Sequence, residues 1–169
     1  VRVENRYRSF LLPTGGSYPY PLNDLQFTYI MKTGAAWSGT IGDALMTVNL
    51  PDIPPDQIVS VKPGGYAREG HKLVWRFHDF EPTADIEITL MNDVLYDRTR
   101  TASRLLAKNP SDAYAHFLLG TVYFNRRYCA DGIEKKAEDE LLKAVSLDPT
   151  LWDARWYLAA LYEHRAYGK

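Results

Sequence analysis

The chain has 169 residues, 46% of them apolar and 13% aromatic, enough to form a core in one large domain or two small ones. Its formal net charge of −1 gives no electrostatic basis for holding nucleic acid or an anionic membrane surface. The single cysteine, Cys129, excludes an intrachain disulfide and a zinc site built from several thiolates, and no apolar run reaches the roughly 18 residues that cross a bilayer.

Up to residue 92 the pattern is that of short strands separated by turns. The segments 25–32 (LQFTYIMK), 44–50 (ALMTVNL), 72–77 (KLVWRF) and 85–90 (DIEITL) alternate apolar and polar residues. In the last, Ile86, Ile88 and Leu90 share one face while Asp85, Glu87 and Thr89 share the other; in the second, Leu45 lies opposite Met46 and Val48. Turn clusters lie between them: PTGGSYPYP, PDIPPD, KPGGYAREG and EPTAD. Five or six strands at this spacing predict an antiparallel sandwich or barrel-like sheet.

The composition then shifts. Eight prolines and eight glycines precede residue 93, against two and three after it. Segments 93–110, 111–124, 133–149 and 150–168 read as helices. The first ends at Asn109-Pro110, the second is capped by Ser111 or Asp112, and the fourth by Thr150. In the third, Ile133, Ala137, Leu141, Ala144 and Val145 form one stripe; Glu134, Lys135, Lys136, Glu138 and Asp139 are read as its solvated face.

The helical half repeats itself. AYAHFLLGTVY (113–123) aligns with WDARWYLAALY (152–162), so that Leu119 matches Leu158, Gly120 matches Ala159 and Tyr123 matches Tyr162. With Ala137, Ala144 and Pro149 in register, residues of about 100–169 resemble the tetratricopeptide repeat family. The Pro110-to-Pro149 period of 39 exceeds the family's roughly 34, and the extra residues fall in NRRYCADG. His116 stands where the family has a large apolar residue, and the second repeat stops after its first helix. So short an array must lean on the sheet, dimerise or continue in a longer chain. The resemblance places ligand-facing residues on the first helix of each hairpin: Tyr114, Phe117, Thr121 and Phe124, then Asp153, Trp156 and Ala160. Aromatic anchors of this kind suit a protein or peptide partner. The competing reading packs the same rings against the β half.

Segments 29–51 and 73–88 resemble the β-rich domain of uncharacterised exported bacterial proteins. That resemblance implies an extracytoplasmic or cell-surface location and brings no particular activity with it. The chain begins at Val1 rather than Met, from which we expect that an upstream segment was processed or trimmed.

Other chemistry is thinner. The glycine spacing of TGAAWSGTIG (33–42) suggests a phosphate loop, but Thr40 holds the place of the required lysine and a strand follows instead of a helix, so Gly34 and Gly39 read as a bend. His78, Asp79, Glu81 and Asp85, with His71 nearby, would serve hydrolysis if Asp79 and Glu81 share a strand face; the alternative is a solvated turn. Cys129 follows Arg126 and Arg127, whose charges would activate a thiol; otherwise it is a loop residue. Trp37, Tyr18, Tyr20 and Tyr66 fall in turns and would stack on a glycan or cover a core.

These readings predict an α+β chain: an antiparallel β-sandwich-like domain over 1–92, then a tetratricopeptide-like helical segment over 93–169. The expected role is non-catalytic, a protein-interaction module of an exported bacterial protein, without cofactor or metal and open to homo-oligomerisation. The alternatives are a cell-wall or glycan-binding β domain and a hydrolase using the His78–Asp85 cluster.

Overall fold

The computed structural model describes residues 22–31 and 39–167. It is α+β. The strands are β1 (Leu25–Tyr29), β2 (Ile41–Asn49), β3 (Ile58–Lys62), β4 (Ala67–Glu69), β5 (Lys72–Phe80) and β6 (Ile86–Leu90). The helices are α1 (Asp93–Lys108), α2 (Ala113–Asn125), α3 (Ile133–Leu147) and α4 (Trp152–Tyr167).

The strands form two three-stranded antiparallel sheets, ordered β1-β6-β3 and β2-β5-β4. In β6 the alternation holds: Ile86, Ile88 and Leu90 are buried, and Glu87 and Thr89 are less so. Leu25, Phe27 and Tyr29 of β1 pair with Leu90, Ile88 and Ile86. The central strand β5 buries Leu73, Val74 and Trp75 in succession. Its Trp75 indole N–H donates to the Pro63 carbonyl at 3.0 Å, which removes the penalty of burying that donor. One hydrophobic cluster draws on both sheets, with Leu73 and Trp75 from one, Ile86, Ile88 and Leu90 from the other, and Met31. Strands β3 and β4 had no counterpart in the alternation: β3 carries a register shift between Ile58 and Ser60, and β4 is only three residues long within a glycine-rich turn cluster.

The helices start and stop where short-range chemistry directs. Asn92 caps α1 by accepting from the Val94 N–H, and Asp112 caps α2 by accepting from the Ala115 N–H. Pro110 follows the end of α1, as a residue that cannot continue a helix. Thr150 is not the cap of α4. It lies two residues ahead of that helix, and its N–H and hydroxyl both donate to the Asp148 carboxylate. Those two bonds, the hydroxyl's first, hold Asp148 below the ordinary aspartate value.

Two further clusters belong to helices alone. Ala102, Ala115 and Leu118 join α1 to α2, while Leu141, Ala144, Ala154 and Leu158 join α3 to α4. The Ala137, Leu141 and Ala144 stripe of α3 is fully enclosed. Its expected solvated face is not all solvated: Arg165 of α4 reaches back to Glu134 and to Glu138, the latter at 3.1 Å. Burial pushes the Glu138 carboxyl up, but hydrogen bonds from Arg165, Tyr162 and Lys135 outweigh it and hold it below the ordinary glutamate value.

Among the described residues, the hydrophobic clusters of the strands and of the helices share no member, and polar contacts join the two halves. The buried Gln57 side-chain amide donates to the Met91 carbonyl at 3.0 Å and to Asp93 at 2.6 Å, and the Gln57 backbone carbonyl accepts from the Met91 N–H at 2.9 Å. The Tyr96 hydroxyl donates to Asp56 at 2.7 Å; that bond first, then burial, raises the phenol above its ordinary value. At the far end of α2, Asn125 accepts from the Leu22 N–H and Arg126 binds Asp24 at 2.9 Å.

Candidate functional site

The helical aromatics gather where α2 and α4 lie side by side. Tyr157 is the hub: its ring meets Phe117 at 6.0 Å, Phe124 at 5.1 Å and Trp156 at 5.1 Å, each edge-on. Tyr114 extends the line from Phe117 at 5.9 Å. At the other end the Arg127 guanidinium lies 4.3 Å above Phe124 and 4.4 Å above Tyr128, whose ring meets His164 at 5.4 Å. Edge-on packing satisfies the ring quadrupoles against one another and fixes the rings as a stiff surface. Tyr114 remains 52% exposed and Trp156 42%.

Of the seven residues expected to face a partner, the structure brings Tyr114, Phe117, Phe124 and Trp156 into this line. Phe117 and Phe124 meet Tyr157, Tyr114 meets Phe117, and Trp156 meets Tyr157. Asp153 is exposed in the first turn of α4 and Ala160 is half-buried. Thr121 is different: at 1% exposure it is enclosed, donating to the Leu118 carbonyl and accepting from Arg98 of α1. It ties α1 to α2 and has no surface to offer a ligand. Tyr157 was not singled out from sequence, and Arg127 only as a neighbour of Cys129. Tyr157 is adjacent to Trp156 and its role emerges only when α4 lies against α2; Arg127 lies beyond the end of α2, where helical register no longer places a side chain.

Within the cluster near β5, His78 lies 3.5 Å from Asp79. Strand β5 ends at Phe80, and Asp79 adopts a φ of +46°, so Asp79 and Glu81 do not share a strand face. Asp85 instead accepts from the Met31 N–H at 2.9 Å. His78 is exposed and meets Asp43 across the β2–β5 pair at 2.9 Å. Among the described residues, no group of three or more His, Cys, Asp or Glu side chains converges in a metal-holding arrangement. Cys129 is exposed; of its two arginine neighbours, Arg126 is bound to Asp24 and Arg127 is stacked on rings.

The bend proposed for Gly34 and Gly39 lies mostly outside the described residues, as do Trp37, Tyr18 and Tyr20; Gly39, with φ +86°, immediately precedes β2. Tyr66 packs against Trp75 at 5.5 Å, covering the β core. Sequence gave no hint of a cleft of about 360 Å³ between the turn before β3 and α1, lined by Asp56, Tyr96, Arg100 and Arg104 among others. Among the described residues no helix is long and apolar enough to cross a membrane.

Compared with protein-family models, with curated proteins and with solved structures, the chain matches none.

Proposed function

We propose that this chain is a non-catalytic interaction module whose helices α2 to α4 are arranged as tetratricopeptide-type hairpins, with the α2–α4 aromatic line receiving an extended peptide of a partner protein. The β half, in this reading, is a sandwich-like support whose two sheets face one another across their common cluster, and the module works outside the bacterial cytoplasm. The carrying observation is the ring line itself. It is stiffened by mutual edge contacts, yet leaves Tyr114 and Trp156 substantially exposed at its rim. Preformed aromatic surfaces of this kind contribute large contact area at little conformational cost, and their natural ligands are apolar or aromatic side chains on an extended backbone. The order of helix contacts supports the hairpin reading, since α2 meets α3, α3 meets α4 and α2 also meets α4.

Selection from a displayed random peptide library tests this. The wild-type chain is expected to enrich peptides sharing an apolar anchor, and those peptides are expected to lose at least about tenfold in affinity for Tyr114→Ala and Trp156→Ala. Both sites are on the surface, so circular dichroism should show unchanged folding. Failure to enrich any peptide, or equal binding to wild type and variants, overturns the reading.

A further inference from the structure

The internal repeat makes a comparison that the chain itself supplies. In α2, the face formed by His116 and Gly120 is covered by α3. His116 Nδ1 contacts Glu140 at 2.6 Å, and a Cβ built on Gly120 would lie 2.6 Å from Leu141 Cγ. The residues of α4 in the same register are Arg155 and Ala159, and both are exposed. They belong to a face of α4 comprising Trp152, Arg155, Trp156, Ala159, Tyr162, Glu163 and Ala166, every one of them exposed. Trp152 is 72% exposed and Tyr162 43%. The opposite side of the helix buries Ala154, Leu158 and Leu161.

This outer face is symmetric about its centre. On either side of Ala159, Arg155 is matched by Glu163 at four residues' distance, Trp156 by Tyr162 at three, and Trp152 by Ala166 at seven. A twofold axis through Ala159, with a second α4 running antiparallel, brings each residue to the height of its match on the other copy. Arg155 then meets Glu163 of the other copy twice over, once on each side of the axis. Trp156 meets Tyr162, and Trp152 lies over the small Ala166. Ala159 meets itself at the axis, where a small side chain lets two helices approach closely. This is the isologous pattern, in which one patch is complementary to itself. The supporting contacts are already in place: Arg155 lies 4.9 Å over the Trp152 ring, and Glu138 of α3 accepts a hydrogen bond from Tyr162.

We propose that the outer face of α4 is a homodimer interface in which two copies of this chain pair antiparallel through α4 about Ala159. The contact would run for about 21 Å of helix, from Trp152 to Ala166. It replaces, with a second copy, the helix that α3 supplies to α2. The two surfaces share Trp156 but not Tyr114, Arg155 or Glu163, so Tyr114→Ala tests the peptide site and the charge variants at 155 and 163 test the dimer.

Sedimentation equilibrium of the 169-residue chain is the deciding measurement. The wild type should show a concentration-dependent dimer. Arg155→Glu and Glu163→Arg should each weaken it by at least about tenfold, because each substitution sets like charges against one another at two symmetric places. An equimolar mixture of the two variants should recover dimer, since every 155–163 pair across the mixed interface is again of opposite charge. Ala159→Cys in a Cys129→Ala background should oxidise readily to a covalent dimer. Unchanged circular dichroism would confirm that the exposed substitutions leave the fold intact. A wild type that stays monomeric at every concentration overturns the proposal, as do single variants that dimerise like wild type, a mixture no better than its components, or an Ala159→Cys chain that fails to cross-link.

Discussion

Helices α2 and α4 carry the same pattern 39 residues apart and live in different surroundings. α2 is enclosed by α1, α3 and α4, so that Ala115, His116, Leu118, Gly120, Thr121 and Val122 are all buried. α4 is covered on one side only, and buries Ala154, Leu158 and Leu161. The difference shows how one repeat pattern adjusts to its neighbours. Where a partner helix is present, the central position is Gly120 and the neighbouring polar residue is a histidine held at both ring nitrogens. Where none is present, the same positions hold Ala159 and Arg155, a residue with a helix-favouring Cβ and one with a solvated charge.

Substitution at the histidine should separate the two helices most widely. The ring of His116 is engaged at both nitrogens, by Glu140 at 2.6 Å and by the Pro110 carbonyl at 3.0 Å. His116→Ala removes both contacts, leaves Glu140 partly buried without its partner and opens a cavity. We expect a loss of roughly 2–4 kcal/mol in urea unfolding. Arg155→Ala, in register on the open face, should change the stability of dilute protein by no more than about 0.5 kcal/mol. Similar losses at the two sites would break the comparison.

The glycine–alanine pair sharpens it. Gly120→Ala forces a methyl group against Leu141 Cγ and close to the Leu141 backbone nitrogen at 3.2 Å. Overpacking of this kind costs about 1–3 kcal/mol and should exceed the gain of up to about 1 kcal/mol in helix propensity, for a net loss seen as a lowered Tm. The reverse change, Ala159→Gly, meets no packing surface within its own chain and should cost only that propensity, about 1 kcal/mol.

The smallest effect concerns the seam between α3 and α4. The Glu138 carboxyl lies below its ordinary value in the folded chain, so its contribution to stability is complete above the unfolded glutamate value and is lost as pH falls through the lower folded value. Unfolding midpoints followed from neutrality to about pH 3 should therefore fall less steeply for Glu138→Gln than for wild type. An identical acid limb in both proteins would show that the seam contributes nothing to acid stability.

The β half offers a second contrast, between strands that repeat a period and strands that do not. β6 was legible because Ile86, Ile88 and Leu90 alternate with polar residues and one face enters a core. β3 and β4 were not, since a register shift and a three-residue length leave no period to read. The same limit applies to the candidate site. Tyr114, Phe117, Phe124 and Trp156 were placed on one surface by the register of the resemblance to the repeat family, since spacing along a single helix cannot relate two helices. Thr121 fell on that register too, yet Arg98 and the Leu118 carbonyl take its hydroxyl into the α1–α2 contact. Glu134 and Glu138 read as solvated because nothing in α3 itself says that Arg165 will arrive from α4.

Sequence alone determined the change from strand period to helical period near residue 92, a cap at Ser111 or Asp112, the break at Pro110, and the internal match between residues 113–123 and 152–162. All of these are local, set by backbone preferences and by side chains within a few positions of one another. The tertiary structure decided the rest: that Gln57, Asp56, Asn125 and Arg126 tie the two halves together, that Tyr157 is the hub of the aromatic line, and that Gly120 is covered while Ala159 is open. Those outcomes depend on which surfaces meet across tens of residues, and a one-dimensional period specifies which side of an element is apolar without naming what will cover it.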